Sequence, residues 1–144
     1  MRFIVKEGTA MILLGHPDLP CHPLILCHPH HDLSKTPTGS MIITHFSSDR
    51  IPFYQKLSAT KIPYGVFVQT LPEVLLGFAL KIPYLLCSTT LAPQFQKSAD
   101  DYLVDSKIVA VIDNQREIAW AATRRIDGII FRQSLVEYEV LISS

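Results

Sequence analysis

The sequence predicts an α/β fold: a three-layer, open, mostly parallel sheet of about five strands with helices on both faces. A short N-terminal β-hairpin and loop segment precedes it. Three observations predict this. The phrase Lys61-Ile62-Pro63-Tyr64 returns as Lys81-Ile82-Pro83-Tyr84, and each copy leads into an apolar run. A fainter copy starts at Arg125-Ile126 and runs through Gly128-Ile129-Ile130-Phe131. Finally, the apolar runs alternate with helical patterns from Met41 onward, the signature of parallel strands covered on both faces.

The bulk numbers suit this reading. A chain of 144 residues, 48% hydrophobic and 18% charged, is expected to form a single α/β domain over 1–144 with a real core. It divides into a His- and Pro-rich β/loop segment over 1–40 and repeated strand-helix units over 41–144. Thirteen basic and thirteen acidic side chains balance, so no nucleic-acid partner is expected. No apolar run approaches the roughly twenty residues of a membrane span. Three cysteines without a secretion signal read as reduced thiols in a cytoplasmic protein.

The elements follow in order. Phe3 to Lys6 and Ala10 to Leu14 are predicted strands of a hairpin turning at Glu7-Gly8-Thr9. Leu24 to Cys27 is a third short apolar run, and Asp32 to Ser40 a polar loop. Met41-Ile42-Ile43 is a strand, followed by a helix capped from Ser47-Ser48-Asp49 with Pro52 in its first turn. Ile51, Tyr54 and Leu57 give that helix its apolar stripe.

Tyr64 to Val68 is the next strand. Thr70-Leu71-Pro72-Glu73 has capping-box order, opening a helix over 71–80 that is apolar nearly all round and is expected to be deeply buried. Tyr84 to Cys87 precedes a helix reaching about Leu103. Lys107 to Ile112 is the clearest buried strand, and Asn114 with Glu117 caps the helix after it. Gly128 to Phe131 is the last parallel strand. The alternation over Val136 to Ile142 suggests one more. A unit of about twenty residues also matches one strand-helix step of half a barrel. An open sheet is preferred because a full barrel takes about eight strands and ~250 residues.

Ligands of open parallel sheets bind beyond the carboxyl ends of the strands. That rule nominates Thr44, Ser47, Ser48, Gln69, Thr70, Ser88, Thr89, Thr90, Asn114, Arg132, Gln133 and Ser134 as a hydroxyl-rich rim for a small anionic ligand. His45 and Asp113 end two strands and are the candidate catalytic pair, an imidazole with a carboxylate to orient it. The same residue types serve as helix caps, which accounts for most of the rim without any ligand.

Residues 16–32 concentrate imidazole, thiolate and carboxylate groups, the ligands zinc and its neighbours use. Cys21, Cys27, His28, His30 and Asp32 are the candidate ligands, with zinc or another transition metal as the cofactor. The spacing fits no standard finger. His30 and His31 are adjacent, so on an extended strand they face opposite ways.

What is missing narrows the function. There is no Gly-x-Gly-x-x-Gly, no Walker loop and no Gly-x-Ser-x-Gly elbow, which disfavours dinucleotides, nucleoside triphosphates and the usual serine hydrolases. The default reading is a non-enzymatic module that binds a protein partner or its own copy. An anionic-ligand protein or enzyme using the strand ends, and a metal protein using the N-terminal segment, are the rivals.

Overall fold

The computed structural model describes residues 2–6, 9–20 and 22–143. Strands β1 (Arg2–Lys6) and β2 (Thr9–Leu14) form an antiparallel pair. The predicted turn residues Glu7 and Gly8 lie outside the described residues. There follow β3 (Leu24–Leu26), β4 (Met41–His45), α1 (Ile51–Ala59), β5 (Tyr64–Phe67), α2 (Leu71–Ala79) and β6 (Tyr84–Ser88). Then come α3 (Ala92–Tyr102), β7 (Lys107–Ile112), α4 (Arg116–Thr123), β8 (Gly128–Phe131), β9 (Leu135–Glu137) and α5 (Tyr138–Ser143). No described helix is long and apolar enough to cross a membrane.

The fold is α/β with a mostly parallel sheet, as predicted. Its extent and layering differ from the prediction. One sheet of nine strands runs in the order β1-β2-β8-β7-β6-β5-β4-β3-β9. Every pairing from β2 to β9 is parallel, so eight strands run one way, not about five, and β1 alone opposes them. The extra strands have weak sequence signals: β3 and β9 are three residues each, too brief to show a period, and β2, half of a hairpin with β1, also joins the parallel sheet through β8.

Helices on both faces are also corrected. Strands β3 to β8 lie side by side in chain order, so each right-handed crossover steps the same way and sets its helix on the same side. Strand alternation confirms it. Ile25, Ile42, Val66, Leu85, Ile108, Ala110 and Ile129 point toward the helices and pack with Phe53, Leu57, Val74, Phe95 and Ala121. On the other face Leu24, Ile43, Leu86, Val109 and Ile130 pack with Ile12 and Leu14, and no buried helical residue joins them.

That second face is still fully buried: Ile43, Leu86, Val109 and Ile130 are 0% exposed. The sheet covers it by curling into a half-barrel. Its two ends approach one another. Gly15, just past β2 with φ of +73°, is so close to Ser134, just before β9, that a Cβ there would collide with the serine side chain and touch Leu24.

The repeat is visible in the backbone four times. Lys61, Lys81, Leu103 and Arg125 all adopt left-handed conformations, with φ of 59°, 58°, 53° and 56°. Each donates its N–H to Ser58, Phe78, Asp100 or Ala122 O, and the next residue donates to Leu57, Gly77, Ala99 or Ala121 O. This is the Schellman helix end, built here without glycine. Ile62, Ile82, Val104 and Ile126 then enter the next strand from the helix side. The copy at Leu103-Val104 was hidden because it lacks the Ile-Pro-Tyr wording.

Two local expectations change. Strand pairing in the last segment ends at Glu137 and a helix begins at Tyr138. Helix α2 is not buried all round: Val74 and Gly77 are inward, whereas Leu75 and Leu76 are 39% and 47% exposed. With helices on one side only, each keeps an outer face.

Candidate metal centre

Beyond β3, the Cys27 N–H donates to Ile43 O and prolongs the ladder beside β4. The chain then turns. Pro29 fixes the second position of a tight turn, and the His31 N–H donates to His28 O at 3.0 Å. The turn gathers three imidazoles. Ring centroids lie 4.3 Å apart for His30 and His31, 5.3 Å for His28 and His31, and 5.7 Å for His28 and His30. The expectation that His30 and His31 must diverge assumed an extended chain.

His31 is buried, and its Nδ1 accepts the backbone N–H of His28 at 3.0 Å. Its proton is therefore on Nε2, which donates to Glu139 Oε1 at 2.8 Å. Glu139 arrives from the far end of the chain because β9 pairs in parallel with β3, and α5 starts just beyond it. Donor atoms of His30, His31 and Glu139 all lie within 4.8 Å of one another. Hydrogen bonds from its own backbone N–H and from His31 hold the Glu139 carboxyl below the usual range. It is ready to ligate as an anion.

Arg50 closes one side. It ends a short 3-10 turn ahead of α1. Its Nη1 donates to Thr44 Oγ1 at 2.8 Å and to His45 O at 3.4 Å, and its Nη2 donates to His28 Nδ1 at 3.1 Å. His45 lies over Phe67 with centroids 4.9 Å apart. Desolvation first, and then the Arg50 charge, push the pKa values of His28 and His45 below the ordinary 6.5.

No family model and no curated protein matches the chain.

Of the ligands nominated from sequence, the structure brings together His28 and His30. Cys21 lies outside the described residues. Cys27 is 0% exposed in the helix-side core, its thiol pushed up to about 11 by burial and then by the Glu139 charge. Asp32 turns away to cap a 3-10 turn, accepting from Ser34 N at 3.0 Å and Ser34 Oγ at 2.6 Å.

The nominated rim divides between caps and pairs. His45 and Asp113 are not neighbours, since β5 and β6 separate β4 from β7, and the Asp113 carboxylate accepts from Arg132 Nε at 2.8 Å. Gln133 Nε2 donates to Asp113 O, and Ser134 Oγ to Phe131 O. Ser47 Oγ accepts from Asp49 N beside the exposed Ser48, Thr70 Oγ1 from Glu73 N, and Ser88 Oγ from Leu91 N. The Gln69 N–H donates to Glu73 Oε1 at 2.7 Å, completing the capping box. Thr89, Thr90 and Asn114 face a shallow hollow with Arg116, Glu117 and Trp120, and Asn114 Oδ1 accepts from Arg116 N. Thr44 is fully buried and serves Arg50.

Sequence reasoning missed His31, Arg50 and Glu139. His31 had a legible signal, the proline before His30 that makes a turn. Arg50 and Glu139 had none, because both reach the cluster through long-range strand pairing.

Proposed function

We propose that the protein binds a divalent transition metal ion, of the class zinc represents, through His30, His31 and Glu139. The observation that carries the reading is the convergence of their three donor atoms within 4.8 Å. Two imidazoles and a carboxylate suit zinc and its first-row neighbours, and three protein ligands leave a coordination position open for water or a ligand.

Binding has a local consequence. With an ion held at His31 Nε2, the ring proton would sit on Nδ1 and would face the His28 N–H as a second donor. The turn from His28 to His31 would have to adjust to relieve that contact. Ion binding and turn geometry would thus be coupled.

The test is elemental analysis of the purified protein after equilibration with zinc and removal of loose metal. Wild type should retain about one equivalent, and His30→Ala and Glu139→Ala should lose it. Retention of equal metal by wild type and both variants would overturn the reading.

The interaction-module reading has in its favour the exposed apolar side chains of Leu75 and Leu76 on α2, Tyr102 and Leu103 at the end of α3, and Val140 on α5. Exposed apolar side chains are ordinary on a folded domain and do not by themselves mark an interface. The metal reading stands ahead of it.

A further inference from the structure

Arg50 has an unusual set of partners. All three are neutral: the Thr44 hydroxyl, the His45 carbonyl and the His28 ring nitrogen. Among the described residues no carboxylate pairs with it. The residue is half-buried, and its Nη1 is anchored on Thr44, which is 0% exposed. A guanidinium drawn in from water without a counter-charge is unfavourable unless an anion comes to it.

The geometry says which edge the anion would meet. Nη1 is taken by Thr44 and His45. Nε makes no hydrogen bond among the described residues, and Nη2 makes only the one to His28. The Nε and Nη2 protons form the side-on fork that matches two oxygens of a carboxylate or phosphoryl group. One Nη2 proton goes to His28 Nδ1, which leaves Nε–H and the second Nη2 proton for a ligand, and the His28 ring stacks on His30 of the metal cluster at 5.7 Å.

We infer that Arg50 and His28 form an oxyanion subsite beside the metal position, taking a small phosphoryl or carboxylate group. The inference rests on the proposed metal centre only for the second anchor. There, one oxygen of the ligand would meet the open coordination position while others meet the Arg50 fork.

The experiment is titration of inorganic phosphate, and separately of acetate, into metal-free protein dialysed after chelation. Melting temperature and calorimetric binding are read at constant ionic strength set with chloride. Saturable stabilisation by phosphate or acetate is expected, and which one acts identifies the oxyanion. Arg50→Gln should weaken it about tenfold or more, the scale of hydrogen bonds to a charged group. Arg50→Lys, which keeps charge and fold but loses the fork, should also weaken it. Arg132→Gln, removing a strand-end arginine already paired with Asp113, should leave it unchanged.

No saturable effect of either anion, an equal effect in Arg50→Lys, or loss through Arg132→Gln would overturn the inference. Repeating the titration with zinc separates the two proposals. An Arg50-dependent anion effect without zinc binding sinks the metal reading and keeps the subsite. Zinc binding without an anion effect does the reverse.

Discussion

The ring of His31 lies flat on that of Tyr138, with centroids 4.0 Å apart and planes 10° apart. The Tyr138 hydroxyl donates to Asp32 O at 2.9 Å, so the stack ties both sides of the histidine turn to α5. His31→Phe preserves the stack but removes both ring nitrogens. It leaves the His28 N–H without its acceptor, which should cost about 1–3 kcal/mol of stability. Glu139→Gln, at a side chain 64% exposed, keeps an acceptor for Nε2 and should barely move the melting temperature while lowering zinc retention. Urea titrations of the two variants check this. Equal stability of His31→Phe and wild type would remove the structural role assigned to His31.

Stability should fall on mild acidification. His28 and His45 have folded pKa values below 6.5, so the unfolded chain takes up protons more readily than the folded one. Their contribution is therefore intact above about pH 6.5 and declines as pH falls through that value toward the folded ones. A second loss belongs to lower pH. Asp32, held down first by its Ser34 bonds, and Glu139 have depressed carboxyl values. Their stabilisation is present above the unfolded carboxyl range and goes as pH drops through the folded values. His45→Gln should flatten the melting-temperature slope between pH 7 and 5 without altering the lower step. An unchanged slope in that variant would exclude His45 as a source.

How much of this was legible follows from the range of each interaction. The strand-helix alternation from Met41 to Phe131 was readable because each unit carries its own buried strand, cap and helix. The one-sided layering was not. Leu85-Leu86-Cys87 announces burial on both faces, but an inner face covered by a curled sheet reads the same as one covered by helices. At the site, His28 and His30 were readable by residue type and His31 was set aside by assuming an extended chain. Glu139 reaches that turn only because β9 docks beside β3, a pairing of three-residue strands with no local signature.

Both described cysteines should be inert in the native protein. Cys27 and Cys87 are 0% and 2% exposed, and burial is the leading cause that pushes their thiols up to about 11 and about 12. At pH 7.5 almost no thiolate forms, and the thiolate is the nucleophile. Peptide mapping after iodoacetamide treatment should find both unmodified in buffer and both alkylated in urea. Rapid native alkylation of Cys27 would show that the turn after it opens readily, and that the histidine cluster is not held as described.

The four left-handed helix ends make the last prediction. A non-glycine residue in that conformation costs roughly 1–2 kcal/mol, while glycine carries about 0.5–1 kcal/mol of extra chain entropy on folding. Leu103 is the clearest position, because its side chain is 88% exposed and has little packing to lose. Leu103→Gly should therefore stabilise the protein by about 0.5–1 kcal/mol, raising the melting temperature by about 2–4 °C for a domain of this size. Lys61→Gly and Lys81→Gly should act in the same direction, and the gains should add because the caps belong to separate units. Differential scanning calorimetry of the single and combined variants reads this directly. A loss of stability in Leu103→Gly would mean that the left-handed backbone there holds no strain for glycine to relieve.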